Sequence, residues 1–186
     1  MLQYIKEYGK YVEITGYRGI SFLKAEAFLK ASRKKTQNVD IQFFDADLIA
    51  TQEHLYFAAL NALQAFADKT NLSKSPAMET MLYASAQRQI QKAIKRNGIK
   101  PASKNMALVI IGGDPKQIEN ALEAVSKSVG SKPDESVLEL TKPKETKIKK
   151  AFEITEEELE VVENGSQNKA VADLVIERVA LLSTQQ

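Results

Sequence analysis

An apolar run over residues 55–67 limits the possible folds of this chain more than any other feature of its sequence. The run holds five alanines and, among them, the large side chains of Leu55, Tyr56, Phe57, Leu60, Leu63 and Phe66. Thr51 stands where a helix N-cap is expected, so the spacing predicts a helix from there to about Asp68. Because apolar groups cover most of its circumference, we expect a central helix that other elements surround.

The rest of the chain is predicted to form both strands and further helices. Apolar periodicity predicts strands over residues 11–17, 39–45, 106–111 and 137–140. Helices are predicted over residues 22–33, 77–84, 86–97, from 114 onward, 145–151, 155–162 and 169–183. The chain has the length of one domain, at 186 residues. We therefore predict an α+β fold, with a single domain over residues 1–186, a small mixed sheet flanked by helices, and a helical C-terminal segment over about residues 144–184.

Two residue patterns predict where helices begin. Ser75 precedes Pro76, which is the arrangement of an N-cap followed by proline at the first helical position. Thr155 and Glu158 have the three-residue spacing of a capping box.

The composition removes several classes of enzyme. The chain has no cysteine, which excludes disulfides, thiolate metal sites and a cysteine nucleophile, and its single histidine is His54. A small hydrolase would have to use His54 as its base, and a packed histidine is the alternative. Asp45 and Asp47 follow a strand and have the residue type that suits a Mg²⁺ site, but turn chemistry explains them without a third acid. We expect no catalytic residue, no metal and no cofactor.

The N-terminal residues lack the apolar run of a signal peptide, and the run over residues 55–67 is too short to span a bilayer. We therefore expect a cytoplasmic protein that does not contact membranes.

The net charge of +2 conceals a strong separation of charge along the chain. Residues 69–104 contain eight basic residues and one acid, Glu79, whereas residues 153–163 contain six glutamates and no base. In the helix predicted over residues 86–97, Arg88, Lys92, Lys95 and Arg96 share one face, and we expect Ile90, Ala93 and Ile94 to pack inward from the other. Such a row of cations suits a phosphate backbone, and a solvated helix face is the alternative.

The C-terminal helix has an apolar arc wider than one packing face requires. One half of this arc would then rest on the domain and the other half would meet a partner protein. Complete burial within the chain's own fold is the alternative.

Several stretches, in matching order along nearly the whole chain, resemble one known family. They are residues 53–66, 71–75, 79–83, 88–99, 152–158 and 177–182. The chain is similar there to the CGI-type small subunit of the KEOPS complex, also called the PRPK-binding protein family, and its ending resembles the archaeal members. The resemblance implies a non-catalytic subunit with a mixed sheet and flanking helices. Such a subunit binds and activates the PRPK-type kinase/ATPase subunit, contacts the threonylcarbamoyltransferase subunit indirectly, and helps recruit tRNA through its 3′ CCA end. The complex installs threonylcarbamoyladenosine next to the anticodon.

Charge and resemblance together give the candidate site residues. The predicted tRNA-binding residues are Lys74, Arg88, Lys92, Lys95, Arg96 and Lys104, and the basic stretch 142–150 is a second RNA candidate. The predicted kinase-subunit interface, or its support, consists of Leu174, Val175, Arg178, Val179 and Leu182. A stand-alone RNA-binding module that uses the basic segment 69–104 remains the alternative function.

Overall fold

Successive side chains of the strands point to opposite faces of one sheet, and both faces are covered. The computed structural model describes residues 1–32, 38–162 and 167–184. Within these residues, the strands are β1 (Leu2–Ile5), β2 (Lys10–Arg18), β3 (Val39–Asp45) and β4 (Asn105–Gly112), in the spatial order β1-β2-β4-β3. All three strand pairings are antiparallel. The α+β class is confirmed, whereas the expectation of a mixed sheet is wrong in this respect.

The helices are interleaved with the strands and continue beyond them. They are α1 (Phe22–Ser32), α2 (Gln52–Ala67), α3 (Pro76–Ala84), α4 (Ile90–Asn97), α5 (Pro115–Val129), α6 (Lys142–Phe152), α7 (Glu156–Val162) and α8 (Gln167–Leu181). Short 3-10 turns cover Lys6–Tyr8, Ala46–Leu48, Glu135–Leu138 and Leu182–Thr184. Among the described residues, none of these helices is long and apolar enough to cross a membrane.

Each face of the sheet buries its own apolar layer. Val12, Ile14 and Val109 belong to the layer that includes buried residues of α2 and α3. Tyr17, Phe43 and Leu108 point to the opposite face, where α1 and α5 cover them. This division follows from the two-residue period of a strand, which sends neighbouring side chains to opposite faces.

Helix α2 occupies the central position that its sequence predicts, with one exposed edge. It contacts α3, α8 and β2, and buries Leu55, Leu63 and its inward alanines. Phe57 is nevertheless 37% exposed, and Gln64 lies on the surface near it in the sequence. The helix is therefore covered on most sides, but not on all of them.

The predicted N-caps are confirmed. The Thr51 hydroxyl accepts a hydrogen bond from the His54 N–H, and the Ser75 hydroxyl accepts one from the Met78 N–H. Thr155 and Glu158 exchange two bonds, because each side chain accepts from the backbone N–H of the other. These side chains satisfy donors that a helix start otherwise leaves without partners.

The sequence-based elements differ from the structure mainly in three places. Strand β1 was not predicted, because four residues give too short an alternation to recognise. The strand expected over residues 137–140 is instead a 3-10 turn, which begins with Asp134 accepting a hydrogen bond from the Ser136 N–H. Helix α4 begins at Ile90 rather than near residue 86. Residue 33, the predicted end of α1, lies outside the described residues.

The C-terminal segment packs as a layer of its own beside the sheet. Ile148 and Phe152 of α6, Leu159 of α7, and Leu174 and Val175 of α8 share one buried cluster. Helix α8 also touches α2, so this segment is continuous with the core.

Close packing of β2 against the 3-10 turn at Glu135–Leu138 gives a stability prediction. A Cβ atom on Gly16 would lie 2.0 Å from Cγ2 of Val137 and 3.0 Å from the Asp134 carbonyl oxygen. We expect Gly16→Ala to lower the free energy of unfolding by about 1–3 kcal/mol through overpacking, as measured by urea denaturation. Gly113→Ala is the matched control, since no atom lies within 4 Å of its added Cβ. Equal stabilities of the two variants would contradict this packing.

Candidate functional site

Five of the six predicted RNA-binding cations lie on the surface. Lys74 is in the loop between α2 and α3, and Arg88 is in the bend before α4. Lys92 and Lys95 are exposed on α4, and Lys104 is exposed just before β4. The structure therefore places these cations on a loop, a bend, a helix and a strand approach rather than on one helix face.

Arg96 differs from the other five cations, because its head group turns toward the protein. Its Nη1 donates to the Ser85 carbonyl at 2.9 Å, and its guanidinium carbon lies 5.5 Å from the centre of the Phe152 ring. Burial lowers the pKa of this guanidinium. The expectation that Arg96 faces solvent beside Lys92 and Lys95 is wrong, since the side chain joins α4 to α3 and α6.

The inward face of α4 is also different from the predicted one. Ala93 and Asn97 are buried, whereas Ile90 and Ile94 are 40% and 42% exposed, so the expectation that both isoleucines pack inward is wrong. The reason lies in α3, whose last carbonyls need donors. Asn97 Nδ2 donates to the Ala84 carbonyl at 2.9 Å, and this bond turns the face that carries Ala93 and Asn97 inward.

Two cavities border α4 and the bend before it. One, of about 190 Å³, is lined by Thr70, Leu72, Glu79, Tyr83, Arg88, Leu182 and Ser183. It mixes hydroxyl, aliphatic and charged groups, and it lies between the basic segment 69–104 and the end of the C-terminal segment. The other, of about 230 Å³, is mainly apolar and lies between α1, β3 and α4, with Ile94 and Ile99 in its wall.

His54 has a structural role rather than an exposed catalytic position. It is fully buried, its Nδ1 accepts from the Ala50 N–H at 3.2 Å, and its Nε2 therefore donates to the Ala84 carbonyl at 2.8 Å. Burial lowers the pKa of His54 to about 4. The hydrolase alternative thus lacks an accessible base, and the packed-histidine interpretation is confirmed.

Asp45 and Asp47 follow the turn interpretation. Asp45 accepts hydrogen bonds from the Asp47 N–H and from the Ser103 hydroxyl at 2.7 Å. Asp47 pairs with Lys147 at 2.6 Å. No group of three or more potential metal ligands occurs within the described part of the chain.

Most cations of the second RNA candidate, residues 142–150, have partners within the chain. Lys144 is buried, donates to the Val137 carbonyl at 2.9 Å, and has its pKa lowered to about 8 by burial. Lys147 pairs with Asp47, and Lys149 lies 2.9 Å from a carboxylate oxygen of Glu156. This stretch accordingly offers RNA less free charge than its sequence indicates.

The apolar residues predicted for the kinase interface lie in the chain's own core. Leu174, Val175, Val179 and Leu182 are all buried, and Arg178 pairs with Glu158 at 2.8 Å. Direct contact with a partner is not available to these four apolar side chains as they lie. Leu181 is 46% exposed and stands between two of them. Glu163, the last acid of the 153–163 segment, lies outside the described residues.

Several residues that line the smaller cavity are not among the site residues predicted from the sequence. Leu72 and Tyr83 belong to the family-like stretches 71–75 and 79–83, but neither these two residues nor Thr70 carries a charge that charge patterning would single out. Glu79 had one signal that the interpretation did not use, since it is the single acid among the eight bases of residues 69–104.

Comparisons with known proteins agree with the sequence resemblance. The sequence model of a family described as "Kinase binding protein CGI-121" matches residues 20–183. A curated relative, the "Regulatory protein Cgi121" of Methanocaldococcus jannaschii, is 31% identical over 145 residues, which are 78% of this chain and 84% of the relative. The family match includes both the basic segment 69–104 and helix α8.

Burial of neutral His54 makes a prediction about pH. An unfolded histidine titrates near pH 6.5, so protons favour the unfolded state as the pH falls from about 6.5 to about 4. This residue alone should lower the free energy of unfolding by up to roughly 3 kcal/mol over that range. Urea denaturation at a series of pH values should show a shallower dependence for His54→Gln than for the natural chain. Parallel pH curves would contradict the prediction.

Proposed function

The chain belongs to the CGI-121 family of kinase-binding proteins, and on this premise we propose that it is a non-catalytic subunit of the KEOPS complex. In this role it binds and activates the PRPK-type kinase/ATPase subunit. It also helps recruit tRNA by its 3′ CCA end for threonylcarbamoyladenosine modification next to the anticodon.

The family match over residues 20–183 carries this proposal. The names of the family and of the relative, one for kinase binding and one for regulation, describe a protein that acts through another protein. The chain's own chemistry supports the same view, since its single histidine is held in the core by two hydrogen bonds. In this proposal the partner subunits carry out the chemistry.

The surface around α4 supports the part of the proposal that concerns tRNA. Lys92 and Lys95 are exposed beside Ile90 and Ile94, so charge and apolar surface occur together. Single-stranded nucleic acid binds where cations meet the backbone and apolar or aromatic groups meet the bases. A tRNA 3′ end is single-stranded, and the cavity lined by Arg88 is adjacent in sequence to this helix.

The exposed side of α8 is our candidate for the kinase-facing surface. Leu181 projects into solvent, and Glu177 is exposed one turn before it. Val179 and Leu182 anchor the other side of this segment in the core. The buried residues thus hold the helix in place while its outer side meets the partner.

A stand-alone RNA-binding module is the second candidate function, and the exposed cations of residues 69–104 favour it. The two candidates differ in one respect, because only the KEOPS subunit stimulates the ATPase activity of a kinase partner.

For tRNA, the expected result of Lys92→Glu with Lys95→Glu is at least about tenfold weaker binding near 0.1 M salt, together with a flatter dependence on salt. The physical reason is that the variant contacts fewer phosphates and therefore releases fewer counterions when it binds. Filter binding or fluorescence anisotropy over a series of salt concentrations measures both quantities.

The matched control for this experiment is Lys116→Glu with Lys127→Glu, which reverses two charges on α5. This variant should keep its tRNA affinity within about twofold, because α5 lies outside the basic segment. Equal losses in the two double variants would mean that net charge, and not this surface, binds tRNA. Equal affinity for tRNA with and without its CCA end would contradict recognition of that end.

For the kinase subunit, we expect Leu181→Asp to weaken complex formation and ATPase stimulation while the variant remains folded. The reason is that a charge on an exposed position disturbs an interface without disturbing the core. Calorimetric titration and an ATPase assay measure the two effects. Val179→Asp is the contrast, because burial of its charge should unfold the C-terminal segment. Unchanged binding by folded Leu181→Asp would contradict the surface assigned to α8.

A further inference from the structure

Glu79 is an exception within the basic segment 69–104. It is the one acid among eight bases there, and at 1% exposure it is also almost completely buried. A buried carboxylate is costly unless donors surround it, so its surroundings indicate why it is retained.

The donors come from the backbone of the loop between α2 and α3. The Leu72 N–H donates to both carboxylate oxygens of Glu79 at 3.1 Å, and the Ser73 N–H donates to Oε2 at 2.7 Å. Successive N–H groups that point to one anion form a concave site for negative charge. Hydrogen bonds to an ionised acceptor are about twice as strong as neutral ones, so Glu79 fixes the middle of this loop.

Other contacts fix the two ends of the same loop. The Thr70 N–H donates to the Ala65 carbonyl at 2.9 Å, which ties the loop to α2. Ser75 caps α3, and Asn71 Nδ2 donates to the Ser73 carbonyl at 2.8 Å. Between these two ends, Glu79 accepts from the backbone N–H groups of residues 72 and 73, while Asn71 bonds the Ser73 carbonyl.

Two surface groups depend on this part of the loop. Leu72 is exposed and lines the cavity of about 190 Å³, and Lys74 is exposed directly after Ser73. Glu79 lines the same cavity, together with Tyr83 and Arg88. The negative charge of Glu79 would repel RNA phosphates near this cavity. Its hydrogen bonds, in contrast, hold the loop that carries Leu72 and Lys74, which would contact RNA.

We propose that Glu79 is a positioning residue for RNA recognition, because its carboxylate holds the loop that presents Leu72 and Lys74. This inference rests on the proposed tRNA-binding function. Its role is distinct from that of the cations, since Glu79 acts through the backbone of the loop and not through contact with phosphate.

The two effects of Glu79 predict opposite results. If only its charge mattered, Glu79→Gln would remove repulsion and tighten tRNA binding. A positioning role predicts weaker binding, because glutamine keeps only one acceptor oxygen and is neutral, and its NH₂ group in the place of Oε1 would face the Leu72 N–H as a second donor. Glu79→Asp separates charge from geometry, since it keeps the charge but shortens the side chain. We expect both variants to bind tRNA about fivefold more weakly than the natural chain.

A double-mutant cycle tests whether the effect passes through Lys74. We expect Glu79→Gln to weaken binding by less than about twofold in a Lys74→Ala background, because the group that it positions is then missing. Lys104→Ala is the matched control, since this exposed cation belongs to the basic segment but not to the loop. In that background the full loss, about fivefold, should remain.

Calorimetric titration of the whole chain with tRNA gives these affinities. Binding to the kinase subunit should not change in the variants, and this second measurement excludes general unfolding. If Glu79→Gln fails to fold, the same cycle is performed with Glu79→Asp. Unchanged or tighter tRNA binding by the folded variants would overturn the positioning role, as would equal losses in the two lysine backgrounds. Failure of the natural chain to bind tRNA would instead overturn the tRNA part of the proposed function.

Discussion

The end of α3 lies inside the protein, and the need to satisfy its last carbonyl groups determines much of the surrounding structure. Three side chains from two other helices supply the donors: His54 and Asn97 bond the Ala84 carbonyl, and Arg96 bonds the Ser85 carbonyl. Unpaired carbonyls at a buried helix end would cost free energy comparable to a lost hydrogen bond each. Because Asn97 and Arg96 turn inward for this purpose, α4 leaves Ile90 and Ile94 at the surface.

Sequence patterns predicted well those features that depend on residues close to one another in the sequence. The caps at Thr51, Ser75 and Thr155 depend on residues three positions apart, so their sequence spacing identified them. The direction of α4 depends instead on carbonyls of α3, which no periodicity within α4 reveals. In the same way, the apolar arc of α8 looked wider than one face requires, because α8 packs both against α2 and against the C-terminal cluster.

In the candidate site, too, some features follow from the sequence composition and others depend on tertiary contacts. The sequence located the charge in residues 69–104, and the structure keeps five of the six chosen cations on the surface. Which of the ionic groups has an internal task depends on tertiary contacts: Arg96 packs over Phe152, and Glu79 binds loop N–H groups. Charge counting alone treats both as surface groups, although Arg96 is half-buried and Glu79 is a buried anion.

In the proposed function, the chain works through a kinase partner. Affinity purification of the tagged chain from its native organism, followed by quantitative mass spectrometry, tests this function. We expect the PRPK-type kinase subunit to be recovered in an amount comparable to the chain itself, together with the threonylcarbamoyltransferase subunit in a kinase-dependent manner. Recovery of RNA without the kinase subunit would contradict the proposed KEOPS function and would favour a stand-alone RNA-binding module.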